Sequence, residues 1–253
     1  MDDEALTAAA SRVREMLAGG RRRMLFITGA GLSAESGLPT YRGVGGLYAD
    51  SDTEHGMPIE VALSGTVFRT RPEITWKHIA QLEAAVRGAR PNRAHSIIAE
   101  LEREHDVVVL TQNVDGFHRA AGSTQVIDIH GDCHVLHCTA CSYREEREDY
   151  AGLALPPRCP KCGGVVRPEV VLFDEMLPSH KVSSLRRELL RGFDAYFSIG
   201  TTSVFPYIAE PILHAARLGR LTVEINPEPT EVTPAIDVRF ACGAVRALGA
   251  VFG

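Results

Sequence analysis

The chain has 253 residues, of which 45% are hydrophobic and 23% charged, with a formal net charge of -5. That length accommodates one large core, or a main domain carrying a small insert. No apolar run approaches the ~20 residues of a membrane-spanning helix, and the negative balance argues against direct binding of nucleic acid through phosphate contacts.

The amino-terminal segment MDDEALTAAASRVREMLAGG is acidic where a secretory leader is basic and lacks a continuous apolar stretch, so a cytoplasmic location is expected. Within it Leu6, Ala10, Val13 and Leu17 recur at helical spacing, which predicts an amphipathic helix over residues 3–18, stopped by Gly19 and Gly20. The triplet Arg21, Arg22 and Arg23 reads as a solvated edge before the first strand.

MLFIT, residues 24–28, is a short apolar run of the kind a parallel sheet buries on both faces. DVVVLT (106–111), AYFSIG (195–200) and LTVEIN (221–226) repeat the signature, each beside a helical pattern. In NRAHSIIAELERE, for instance, Ala94, Ile97, Ile98 and Leu101 share a face. Alternating strands and helices predict an α/β fold, a Rossmann-like doubly wound parallel sheet. Two stretches interrupt the alternation: residues 44–91, with turns and mixed helix, and residues 133–167, with five of the six cysteines. We expect one domain over 1–253. Its large lobe would comprise about 1–43, 92–132 and 168–253, and its small lobe a helical insert (44–91) and a cysteine module (133–167). A lobe inserted at the carboxyl ends of the strands would create a cleft.

After the first strand, Gly29-Ala30-Gly31-Leu32-Ser33-Ala34 fits the G-x-G-x-x-G/A pattern of a dinucleotide-binding turn. A dehydrogenase would continue to a second strand ending in an acidic residue about 20 positions on. Asp50 and Asp52 lie at that distance, but YRGVGGLYADSD has no strand character. The chain continues instead as ESGLPTYRG, a loop with a rigid proline and a guanidinium, suited to closing over a phosphate or sugar.

Cys138 and Cys141, then Cys159 and Cys162 after a gap of 17 residues, have the spacing of a four-thiolate zinc ribbon. Disulfides are the competing reading, disfavoured in a reducing compartment. With four sulfurs on the metal no position stays open, so the zinc would be structural. Cys133 and Cys242 are left over as packing or loop residues.

Further polar groups gather after the strands. Gln112, Asn113 and Asp115 follow the second; helix capping explains Asn113 or Asp115, but not all three. His130 follows the short strand VIDI, where a general base beside a cleft would sit. GTTSVFP, from Gly200, offers hydroxyls, and INPE, from Ile225, a ribose contact.

In this order GAGLSAESGLPTYRG, TQNVDG, IHGD, the paired cysteines, RPEVVLFDE, GTTS and INPE resemble the sirtuin family of NAD-dependent protein lysine deacylases, collinearly from about Gly29 to Gly243. The resemblance implies NAD as a consumed co-substrate, one structural zinc, and acyl-lysine proteins or peptides as partners. It implies that Gly29, Ala30, Gly31 and Ser33 contact the NAD phosphates and that Arg42 lies in the loop over the nicotinamide ribose. Asn113 and Asp115 would hold the nicotinamide end, and Gly200, Thr201, Ser203, Asn226 and Cys242 the adenosine side. Glu35, Tyr41 and Gln112 complete the cofactor set. His130 matches the catalytic base, with Asn113 as its catalytic companion. Val171 and Phe173 match the segment on which a substrate peptide pairs as an added strand. The implied products are free lysine, nicotinamide and O-acyl-ADP-ribose; an NAD glycohydrolase or mono-ADP-ribosyltransferase using the same pocket is the alternative.

Three residues depart from the family pattern: Thr40 for a common aspartate, Tyr41 for phenylalanine, and Asp174 for glycine. Relatives that remove succinyl or malonyl groups carry a tyrosine and an arginine three residues apart, where this chain aligns Ile79 and Leu82. Without that guanidinium an acidic acyl group would be buried unpaired, so neutral acyl groups, acetyl first, are expected.

Overall fold

A computed structural model describes residues 1–38 and 56–253. The first helix, α1 (Asp3–Leu17), is capped by the Asp2 carboxylate, which accepts the Ala5 N–H, and it buries Leu6, Ala10 and Val13 as their spacing requires. Strand β1 (Arg23–Thr28) leads directly into the short α2 (Ala30–Ala34). Next come α3 (Ile59–Ala62), α4 (Gly65–Thr70) and α5 (Pro72–Val86), then α6 (Arg93–Glu100), which starts at a reciprocal cap between Asn92 and His95. β2 (Asp106–Thr111), α7 (Phe117–Ala120) and β3 (Val126–Asp128) follow, and then the three strands β4 (Gly131–Cys138), β5 (Arg144–Glu146) and β6 (Val166–Val170). The chain finishes through α8 (Ser179–Arg191), β7 (Ala195–Ile199), α9 (Pro206–Arg217), β8 (Leu221–Ile225), β9 (Val238–Phe240) and α10 (Ala244–Phe252).

Six strands form a parallel sheet in the order β3-β2-β1-β7-β8-β9. The four apolar runs of the sequence are its four central strands, and their continuous hydrophobicity has a direct cause: both faces are covered. Along β1, Met24 and Phe26 enter one core with α1, α6 and α10, while Leu25 and Ile27 enter another with α8 and α9. Phe26 stacks on Phe197 of β7 with ring centroids 4.6 Å apart. Chain order reverses between β1 and β7, and a doubly wound sheet opens its ligand crevice at such a point.

A second sheet, β5-β4-β6, is antiparallel. Leu136 and Val166 from it share a core with Leu63, Phe68, Trp76 and Ile79 of the α3–α5 region. Ile79 is buried there and Leu82 packs against its edge, so neither position supplies a cation to an acyl group.

Arg23 corrects the reading of the basic triplet as a solvated edge. It lies inside β1, its Nε donating to Asp106 at 2.8 Å, its guanidinium also bonding Glu188 and lying 4.0 Å from the Phe193 ring centroid. Arg22 Nε donates to the Leu17 carbonyl at 3.1 Å. These cations tie β1 to its neighbours. Among the described residues no helix is long and apolar enough to cross a membrane.

Candidate active site

The turns after β1 and β7 interlock at the switch point. Gly29 N–H donates to the Ile199 carbonyl at 3.0 Å, and Gly31 N–H to the Gly200 carbonyl at 2.8 Å. A Cβ on Gly31 would stand 2.7 Å from the Gly200 α-carbon, and one on Gly200 would stand 2.4 Å from the Leu32 nitrogen. The glycines therefore let two backbones touch. The G-x-G-x-x-G/A pattern assigns the second glycine to a pyrophosphate through its N–H; here that N–H has a protein partner. The packing of the two turns against each other by itself requires these glycines. Tyr41 and Arg42, with Thr40, lie outside the described residues.

A buried polar chain runs beneath this turn. Asn113 Nδ2 donates both to the Gly29 carbonyl and to Ser33 Oγ at 3.0 Å, and Ser33 Oγ donates to Asp115 Oδ2 at 2.7 Å. The other Asp115 oxygen accepts the Phe117 N–H at 3.0 Å. Asn113 and Ser33 are buried, and desolvation raises the Asp115 pKa above its ordinary value. Asp115 does cap α7, as a turn residue would, but the rest of the network holds the glycine turn in place. Gln112 points the other way, its Nε2 donating to Thr201 Oγ1 at 2.7 Å.

His130 stands between β3 and β4. Its Nδ1 is 3.0 Å from the Gln112 carbonyl, and its Nε2 is 2.6 Å from the Tyr207 hydroxyl. A carbonyl only accepts, so Nδ1 carries the proton and the neutral ring presents the Nε2 lone pair. Burial lowers the His130 pKa, with the Gln112 carbonyl opposing and the Lys181 ammonium adding to the effect. Such an imidazole is kept unprotonated at neutral pH and can accept a proton.

Beyond β7 and β8, Asn226 Nδ2 donates to the Thr201 carbonyl at 3.0 Å, and Ser203 N–H to Thr201 Oγ1 at 3.2 Å. Ser203 takes a left-handed backbone, φ 58°. Glu35 and Cys242 sit further along this rim. The Glu35 carboxylate accepts the Val245 N–H at the start of α10 at 3.0 Å; Cys242 is half-buried, and burial raises its thiol pKa.

The four ribbon cysteines converge: Cys138 and Cys162 sulfurs are 3.5 Å apart, Cys141 and Cys159 3.6 Å, and all four lie within 4.8 Å of one another. A tetrahedron with ~2.3 Å zinc–sulfur bonds has edges of about 3.8 Å, so the set fits zinc. Ala140 and Lys161 N–H groups point at the Cys138 and Cys159 sulfurs at 3.3 and 3.4 Å, which favours thiolate. A Cβ on Gly164 would crowd both Cys138 and Cys162. All six cysteines are free of disulfides.

Val171 N–H donates to the His130 carbonyl at 2.8 Å, tethering His130 to the segment expected to bind peptide. Phe173 is already paired through its backbone, donating to Leu63 and accepting from Gly65 at 3.1 and 2.9 Å, while its ring is 38% exposed and offers a contact face. Asp174 has φ 65°, the conformation that suits the glycine usual there, and its carboxylate accepts the Thr66 N–H at the start of α4.

Three further residues that contact these groups carry no mark in the sequence. Tyr207 and Phe205 flank His130, and the buried His118 bonds Thr28 Oγ1 at 2.9 Å below the glycine turn. No local pattern reveals them, because each contact joins residues more than 70 positions apart.

The Sir2 family model matches residues 29–206. The chain belongs to the Sir2 family. This bears out the sirtuin resemblance of the sequence. An NAD-dependent protein deacylase 2 of Pseudomonas syringae pv. tomato is 51% identical over 231 residues, covering 90% of this chain and 93% of that one. Its namesake in Pseudomonas aeruginosa is 51% identical over 221 residues, 86% of each chain. Among solved structures, a Sir2 homologue in complex with NAD superposes with TM-score 0.80 at 35% identity, over 99% of this Sir2 chain and 93% of its own. A Sir2 with p53 peptide and NAD+ gives 0.79 at 26% identity, over 95% of each.

Proposed function

We propose that this Sir2 chain is an NAD-dependent protein lysine deacylase, with acetyl-lysine as its preferred substrate. The single observation that carries the reading is the His130 ring, neutral and aimed by the Gln112 carbonyl, beside the interlocked turns of β1 and β7. The names of its Pseudomonas relatives support the activity, and the Sir2 solved with peptide and NAD+ supports an acyl-lysine peptide as partner.

Bound NAD supplies a sugar carbon that becomes electrophilic as nicotinamide departs. The chain's residues do the rest. Gly29, Ala30, Gly31 and Ser33, in the turn locked against Gly200, would receive the phosphates. Asn113 and Asp115, held by Ser33, orient the nicotinamide end, and Thr201, Ser203 and Asn226 the adenosine end. The sirtuin resemblance assigns Arg42, outside the described residues, the exclusion of water, so that the acyl oxygen of the substrate meets the sugar carbon first. His130 Nε2 would then take a proton from a ribose hydroxyl, whose oxygen bonds the acyl carbon, and a water added at that carbon would release the lysine amine and leave the acyl group on the sugar. We assign the crevice between the two lobes to these events, with zinc bracing the smaller lobe, and place the protein in the cytoplasm, a location consistent with six unpaired cysteines.

Incubation with NAD and a panel of acyl-lysine peptides, read by mass spectrometry, tests this reading. Nicotinamide release that needs the peptide, strongest with acetyl and lost in His130→Ala, is expected. Equal release without peptide identifies a glycohydrolase instead.

A further inference from the structure

We propose that the Tyr207 hydroxyl is a built-in stand-in for the sugar hydroxyl at His130: a positioning residue that occupies the Nε2 lone pair until nucleotide displaces it. The inference rests on the deacylase reading for its meaning, though not for its geometry.

The geometry is specific. Because Nδ1 must donate to the Gln112 carbonyl, Nε2 can only accept from a neutral ring, and Tyr207 Oη lies 2.6 Å from it. Burial pushes Tyr207 up to about 12, so the phenol keeps its proton and is the donor. The ring does not swing freely: Pro206 fixes the first turn of α9, and Tyr207 stacks on Phe205 with centroids 5.5 Å apart and planes 14° from parallel. His130 meets both rings edge-on, at 6.1 Å from Phe205 and 5.9 Å from Tyr207. Phe205 is 39% exposed, so the cluster borders solvent and a ligand can reach it.

One lone pair accepts one strong hydrogen bond. The ribose hydroxyl whose proton His130 removes needs the same Nε2 that Tyr207 holds, so phenol and sugar compete. Before nucleotide binds, the phenol keeps the ring aimed and stabilises its neutral form. Other groups facing the ring are the Gln112 carbonyl, which favours the charged form, and Lys181 of α8, which opposes it while bound to Asp128 at 2.9 Å.

Two consequences separate this role from plain packing. Replacing Tyr207 by phenylalanine keeps the stacked ring and removes only the donor. The His130 pKa then rises by about 0.5–1 unit, and ADP-ribose binds about five-fold more tightly, the scale of one ordinary net hydrogen bond.

The experiment uses the zinc-loaded full chain. Nitrogen-detected histidine NMR follows His130 through a pH titration in wild type and Tyr207→Phe, and calorimetry measures ADP-ribose binding to each. The expected result is an Nδ1–H tautomer in wild type, a raised pKa in the variant and tighter ADP-ribose binding. An unchanged titration overturns the proposal, as does unchanged or weaker binding. Wild type alone gives a further test independent of variant folding: saturating ADP-ribose should shift the His130 Nε2 resonance as a sugar hydroxyl replaces the phenol, and an unchanged resonance overturns the proposal. A normal titration together with no peptide-dependent nicotinamide release would sink the deacylase reading while leaving the Tyr207–His130 bond intact.

Discussion

Gly31 and Gly200 meet backbone to backbone, the N–H of one donating to the carbonyl of the other at 2.8 Å, so the turns after β1 and β7 form one rigid unit. A methyl group at Gly200 would press on the Leu32 nitrogen from 2.4 Å, in a residue whose φ is already +59°. Left-handed strain costs roughly 1–2 kcal/mol and overpacking against backbone about 1–3 kcal/mol. Gly200→Ala should therefore lower Tm by about 4–20 °C in calorimetry. Gly249, in α10, is the control, because a Cβ added there would meet nothing within 4 Å: Gly249→Ala should raise Tm slightly. Equal effects at the two positions would refute the interlock.

The zinc site can be followed through the chain's one tryptophan. Trp76 is fully buried, donates its indole N–H to the Val166 carbonyl at 2.8 Å, and meets Tyr150 edge-on at 5.5 Å, in a core that also contains Cys138 and Cys159. Structural zinc contributes ~10–16 kcal/mol in small zinc modules, as much as the whole stability of a typical domain. Stripping the metal with a chelator should shift Trp76 fluorescence to the red and abolish turnover. Complete zinc loss with unchanged emission would show that the module stands without metal.

Much of this was legible in the sequence, for identifiable reasons. The central strands announced themselves because burial on both faces forces four uninterrupted apolar runs, and the cysteines because metal geometry fixes their spacing. Three-residue β9 is too short to carry a pattern. Arg23 looked solvated because its anionic partners, Asp106 and Glu188, are 83 and 165 residues away. The same distance blindness hid Tyr207 from His130, 77 residues apart. Local rules read what neighbours in sequence impose; these contacts are imposed by the fold.

Asp174 poses two opposing local demands. Its φ of 65° favours glycine, yet its carboxylate accepts the Thr66 N–H at 3.2 Å, adding a second cap to the first turn of α4 beside the Ser64 hydroxyl, which accepts the Val67 N–H. Asp174→Gly loses the cap but relieves the backbone, so its urea midpoint should stay near wild type. Asp174→Ala loses the cap and retains the strain, so its midpoint should fall. Identical midpoints for the two variants would show that the backbone conformation is not strained.

Below the glycine turn, His95 and His118 lie buried with ring centroids 5.0 Å apart, and His95 Nε2 and His118 Nδ1 have no hydrogen-bond partner among the described residues. Burial lowers His95 to about 4 and His118 to about 3, the latter helped by its neighbour. Both sit below the unfolded value of about 6.5, so the unfolded chain binds more protons and stability falls as pH drops below that value. The loss accumulates until each folded pKa is passed; at pH 5 it amounts to about 2 kcal/mol per ring. Together that is a large share of the 5–15 kcal/mol of an ordinary domain. His95→Gln removes one titrating group while a glutamine can still accept the Asn92 N–H that His95 Nδ1 now accepts at 3.2 Å. Urea unfolding between pH 8 and 5 should show a loss of stability smaller by about 2 kcal/mol at pH 5 in that variant. An unchanged pH slope would mean that the imidazole of His95 is not kept neutral by its burial.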